Sequence, residues 1–118
     1  MMSDRLPCCV PFCRRTTKAG RFSEWICGKH WPLVPPELRR LKRGTERAYA
    51  AANLQCEAID LEAYECAKAN GGGVHINIIE RFGKAADRRD RKRRQAARVW
   101  ERCKRAAVER TAGIRGTI

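Results

Sequence analysis

Five side chains able to hold a borderline-soft metal ion lie in the first thirty residues: Cys8, Cys9, Cys13, Cys27 and His30. Thirteen residues separate Cys13 from Cys27, and Cys27-Gly28-Lys29-His30 is a tight Cys-x-x-His. Thiolates and an imidazole in two close pairs, joined by a hairpin-length stretch, are the donor set of a structural zinc (Zn2+) site. Cys27 and His30 can reach one ion from a single helical turn. Cys13 closes the other pair with Cys8, four residues between, or with Cys9, three between. The longer loop leaves room for Pro11 and Phe12 and favours Cys8. The expected ligands are therefore Cys8, Cys13, Cys27 and His30. Metal binding of this kind contributes folding energy outright, on the order of 10 kcal/mol in zinc-finger peptides. Buried, reduced core thiols are the competing explanation, but this segment offers almost no core to bury them in.

The elements that must position these ligands follow from composition. Residues 1–36 carry the Cys/His cluster, prolines at 11, 32, 35 and 36, and two of the three tryptophans. Thr16-Thr17 and Phe22–Ile26, on either side of a turn at Lys18–Arg21, predict two short strands. Pro35-Pro36 ends that module and can open a helix near Glu37. Residues 37–70 contain no proline and carry apolar or small residues at spacings of three and four: Leu38, Leu41, Thr45, Tyr49, Ala52, Cys56, Ile59, Ala63 and Cys66. Gly71-Gly72-Gly73 breaks the pattern. A weaker seam resumes over 76–111 through Ile79, Phe82, Ala86, Ala96 or Ala97, Trp100, Cys103, Ala107 and Thr111. The expected fold is mainly α: a zinc module over 1–36 with a short β-hairpin, then over 37–118 a long antiparallel helical hairpin turning at Gly71–Gly73. Tyr49, Ile59, Phe82 and Trp100 are expected between the helices, and Cys56, Cys66 and Cys103 as small packing residues.

Cys-x-x-Pro-Phe-Cys-Arg-Arg-Thr-Thr followed by Trp-Ile-Cys-Gly-Lys-His-Trp resembles the treble-clef zinc-finger-like small proteins encoded by phages and prophages. The likeness covers about the first third of the chain. It implies a treble-clef module and a setting in the cytoplasm of a bacterial host, but no particular activity. The chain departs from the usual pattern in its four-residue knuckle. Treble clefs also include metal-dependent nucleases, which need a general-base histidine on the hairpin. None is present there, and His75, just past the glycines, reads as a loop residue. No paired carboxylates, nucleophile–base set or phosphate loop is visible, so an enzyme is not expected.

The net charge of +13 over 118 residues restricts the partners. Residues 1–36, 37–73 and 74–118 contribute +4, 0 and +9. With the turn near residue 72, Glu57, Asp60, Glu62 and Glu65 are expected beside Lys84, Arg88 and Arg89, leaving the charge near the zinc end unbalanced. Arg14, Arg15, Arg39, Arg40, Arg43, Arg102 and Arg105 are the candidate contacts to nucleic acid, DNA or RNA, through phosphate. A solvated helix face is the bland explanation for the same arginines. Few aromatics interleave with the basic residues, which argues against stacking on single strands; Tyr49, Tyr64 and Trp100 fit the helix seams better. An acidic host protein or ribonucleoprotein complex, bound by an anti-defence inhibitor such as an anti-CRISPR, is the alternative partner. A homodimer pairing the alanine-rich seams is a third reading. No run of apolar residues is long enough for a membrane span, and no secretory h-region is visible.

Overall fold

The computed structural model describes residues 5–20 and 23–113. The elements run β1 (Arg5–Pro7), β2 (Thr16–Lys18), a 3-10 turn (Trp31–Leu33), α1 (Pro36–Ala69) and α2 (Ile76–Thr111). The chain is mainly helical, a two-stranded antiparallel hairpin followed by a helical hairpin. Contacts group it into two units: Met1–Leu41 with Val99–Ile118, and Lys42–Arg98.

In the first unit the strand pairing differs from expectation. Thr16–Lys18 pairs with Arg5–Pro7, with Leu6 opposite Thr17. Among the described residues it makes no strand pair with the segment that follows; Arg21 and Phe22 lie outside them, and Trp25 makes an isolated parallel bridge to Cys8. The hairpin therefore encloses the Cys8–Cys13 loop rather than Lys18–Arg21. Arg5 reinforces it, donating from Nε to Thr16 Oγ1 at 3.1 Å and from Nη2 to Thr16 O at 3.0 Å. The core of this unit is built mostly from small side chains: Cys8, Val10, Ile26, Cys27, Val34, Leu38, Val99, Cys103, Ala106 and Ala107, flanked by Trp25, Trp31 and Trp100. Pro36 occupies the first position of α1, where the missing N–H costs nothing, and Pro35 O accepts the first helical bond from Arg39 N at 3.0 Å.

The second unit is a helical hairpin in its own right. α1 stops where Gly71 adopts φ 64° and Gly72 N donates back to Ala67 O at 2.7 Å, a Schellman motif that only a residue at ease with positive φ closes without strain. His75 opens α2: its Nδ1 accepts from Asn77 N at 3.2 Å and its carbonyl from Ile78 N at 3.0 Å. It is thus a helix cap rather than a plain loop residue. On α1 a stripe of buried and half-buried positions runs through Lys42, Thr45, Tyr49, Ala52, Cys56, Ile59, Ala63 and Cys66, in alternating steps of three and four, with Ala48, Asn53 and Ala67 half-buried beside it. On α2 the stripe runs through Ile78, Phe82, Ala85, Arg89, Lys92 and Ala96, with Ala86 and Asp90 half-buried beside it. Both seams keep a seven-residue repeat, which holds one stripe of each helix against its partner. The α2 stripe is one residue away from the expected one at its start: Ile78 is buried while Ile79 is 54% exposed. Among the expected buried residues, Ile59 is buried and Tyr49 and Phe82 are half-buried.

A two-pronged ion pair crosses the helical hairpin. Arg81 Nη1 and Nη2 donate to Glu62 Oε1 and Oε2 at 2.8 and 2.6 Å. Residues 62 and 81 are symmetric about Gly71–Gly72, as expected for a turn there, but the partner is Arg81 rather than Lys84, Arg88 or Arg89. The Arg81 guanidinium holds the Glu62 carboxyl below its ordinary pKa. The seam makes a direct prediction. Ile59→Ala should lower stability by about 2–5 kcal/mol, whereas Ile79→Ala should stay within about 0.5 kcal/mol, both read from urea unfolding. Equal losses would mean that the α2 stripe has been misplaced.

Candidate metal centre and basic surface

Two turns bring the metal-ligand candidates together. The first is the loop between β1 and β2. Cys8 follows β1 directly, with Cys8 N donating to Arg15 O at 3.1 Å. Cys13 N donates to Val10 O at 3.2 Å, closing a tight turn over Pro11 and Phe12. The second is the turn ahead of the 3-10 segment, where His30 N and Trp31 N both donate to Cys27 O, at 3.1 and 2.9 Å. Cys9 N donates to Trp25 O at 2.8 Å and ties the two turns together.

The ligand atoms of Cys8, Cys13, Cys27 and His30 lie within 4.8 Å of one another, and this is the group of the described residues able to hold a metal ion. Cys13 Sγ and Cys27 Sγ are 3.8 Å apart. His30 Nδ1 is 3.7 Å from Cys8 Sγ and 3.2 Å from Cys27 Sγ. A tetrahedron with metal–sulfur legs of about 2.3 Å has edges of about 3.8 Å, so these separations suit a single four-coordinate ion. Cys9 is outside the group; it is half-buried and packs against the core of the unit.

Backbone N–H groups act on two of the sulfurs, with opposite net results. Cys27 N donates to Cys8 Sγ at 3.3 Å. Burial raises the Cys8 thiol above its ordinary pKa, against the pull of the Cys27 and Val10 N–H groups. Burial acts the same way on Cys27, but the N–H groups of His30 and Lys29 and the neighbouring Cys13 and Cys8 thiols outweigh it and bring the pKa down. Directed N–H groups stabilise a thiolate, which is the form that binds metal. Buried thiols serving only as packing would have no use for these donors.

Besides the shared core, one carboxylate ties α2 to this module. Glu24 Oε1 accepts from Trp100 Nε1 at 3.0 Å, and Glu24 Oε2 accepts from Lys104 Nζ at 2.8 Å. Lys104 also pairs with Glu101 at 2.7 Å. The Lys104 bond, then the Trp100 bond, lowers the Glu24 pKa. Trp100 is therefore half-buried with its indole N–H satisfied, and belongs to the module rather than to a helix–helix seam.

The candidate arginines fall into separate places. Arg14 and Arg15 are exposed beside the centre and line an open cavity of about 320 Å³ with Pro11, Phe12, Cys13, Lys29, His30 and Thr111. Arg102 and Arg105, also exposed, line a second cavity of about 340 Å³ with Pro35, Glu37, Leu38, Leu41 and Ala106. Arg40 is exposed on the first turns of α1, and Arg43 is exposed in the other unit. Arg39 is half-buried, with Nε shut away from solvent and without a hydrogen-bond partner, so it is the least available to a phosphate. Lys29, one of the basic residues of the zinc module, joins this cavity, and so does Phe12, for which the sequence suggested no binding role. The cue for Phe12 was present: proline at 11 places residue 12 in the turn corner. No helix of the described residues is long and apolar enough to cross a membrane.

Compared with protein-family models, curated proteins and solved structures, the chain matches none.

The ligand geometry sets a test of its own. Cys8→Ala should lower bound metal well below one equivalent per chain and unfold the N-terminal unit on mild chelation. Cys9→Ala should keep the full equivalent. Elemental analysis with far-ultraviolet dichroism reads both; loss of metal in the Cys9 variant alone would reassign the first ligand.

Proposed function

We propose that this chain is a small phage-type zinc protein that binds nucleic acid through phosphate contacts. Three thiolates and one imidazole at tetrahedral spacing favour Zn2+ over harder ions, and a closed four-ligand set suits a structural role. The observation that carries the reading is the cavity beside the centre. Arg14, Arg15 and Lys29 border it, all exposed, and no acidic residue among those described lines it. Cations left unbalanced on a rigid turn are what a polyphosphate backbone requires. Arg102, Arg105 and Arg40 supply further exposed charge within the same unit.

An alternative, a protein-binding inhibitor of a host protein or ribonucleoprotein complex, draws on a different surface. Leu54, Leu61 and Tyr64 are 65%, 61% and 63% exposed on one side of α1 in the helical hairpin unit, where the seam does not use them. Apolar side chains aligned in this way suit a protein more than a phosphate chain.

Salt dependence separates the two. If about six phosphates are contacted, affinity for random-sequence DNA or RNA should fall roughly 10³-fold between about 50 and 200 mM salt. Arg14→Glu with Arg15→Glu should weaken binding to all sequences alike and reduce the salt slope by about two. Glu65→Gln, in the helical hairpin, should leave affinity unchanged. A chain that ignores both polymers at the lower salt fits the inhibitor instead.

A further inference from the structure

Phe12 occupies a position that is costly for a phenylalanine in two ways. It is fully exposed, at 101% of its reference area, and its φ is 69°, the one positive φ among the described non-glycine residues. Pro11 sits at the first corner of the turn closed by Cys13 N and Val10 O, and Phe12 at the second, where glycine or asparagine is preferred. A bulky side chain there costs roughly 1–2 kcal/mol, and a fully exposed ring returns nothing through burial. Folding alone would place glycine at this corner.

The surroundings indicate what the ring meets. Phe12 shares its cavity with Arg14, Arg15 and Lys29, and among the described residues no carboxylate lines it. The one other exposed large apolar residue described in this unit is Leu41. A lone flat ring among cations is a poor protein-binding patch, which needs a cluster of apolar anchors. It matches an unpaired nucleobase, whose face stacks on an aromatic while the flanking phosphates meet arginine and lysine. In a duplex those base faces are occupied by neighbouring base pairs. We infer that Phe12 is a base-stacking platform and that the knuckle is a binding site for single-stranded nucleic acid. The inference rests on the nucleic-acid reading above and narrows it, reversing the expectation from composition that single strands would not be stacked.

The test uses the full metal-loaded chain and three probes of equal length: a single-stranded oligothymidine, the same backbone without bases, and a random duplex. Phe12→Gly suits the backbone of this corner, so metal content and melting temperature should hold or rise. Its affinity for oligothymidine should fall roughly 5- to 100-fold with the salt slope unchanged, because no phosphate contact is lost. Binding to the abasic strand and the duplex should not change. Phe12→Trp should restore the single-strand affinity. If Phe12→Gly binds oligothymidine as well as the parent, or weakens all three probes equally, the stacking role is wrong while phosphate binding stands. If the parent chain binds none of the three, the nucleic-acid reading itself fails, and this role with it.

Discussion

The N-terminal unit depends on the approach of three sulfurs and one imidazole nitrogen to within 4.8 Å of each other. Such a group has no cohesion of its own, since thiolates repel and thiols hydrogen-bond weakly. A cation at the centre would turn that repulsion into a four-way cross-link between two turns. The strands on either side have three residues each, too short to hold a hairpin in water unaided. The surrounding core is mostly cysteine, valine and alanine. Removing the cross-link would leave little apolar area to keep the turns in place.

The same shortage of large apolar residues explains how the helices pack. Ala52, Cys56, Ala85 and their neighbours form narrow seams at heptad spacing, with Ile59, Ile78 and Phe82 as the larger contributors. Small side chains let helices approach closely but bury little area each, so many turns are needed. Half-buried Lys42, Arg89 and Lys92 continue the seams where apolar residues run out. Their aliphatic stems can cover the seam while the charged ends stay in water. Apart from Arg39 and Lys104, the other described basic residues stay exposed, which makes a strongly positive surface the natural outcome of this architecture.

Stability and exposure pull against each other at the knuckle. Proline at residue 11 stiffens the turn that sets Cys13, and the same turn forces residue 12 into the left-handed region with its side chain outward. The metal group and the exposed ring are therefore products of one backbone path. Glu24 binds Trp100 and Lys104 and so ties the module to α2, whose last residue, Thr111, lines the cavity that Phe12, Arg14 and Arg15 share.

The features legible in the sequence are those whose physics is local. Ligand spacing is local, and Cys8, Cys13, Cys27 and His30 could be chosen from loop length. Helix period is local, so both helices and the glycine turn were placed within a residue or so of Pro36–Ala69 and Ile76–Thr111. What needed the tertiary structure is what distant segments decide. Thr16–Lys18 had two possible partners, and strands this short carry no alternation to choose between Arg5–Pro7 and the residues that follow. Ile78 and Ile79 are equally apolar, and only the facing helix selects which one is buried. Glu24 meets Trp100 and Lys104 across 76 and 80 residues of chain, a separation no spacing rule spans. Composition reported the arginines but not their distribution between two cavities, because residues distant in sequence become neighbours only after the chain has folded.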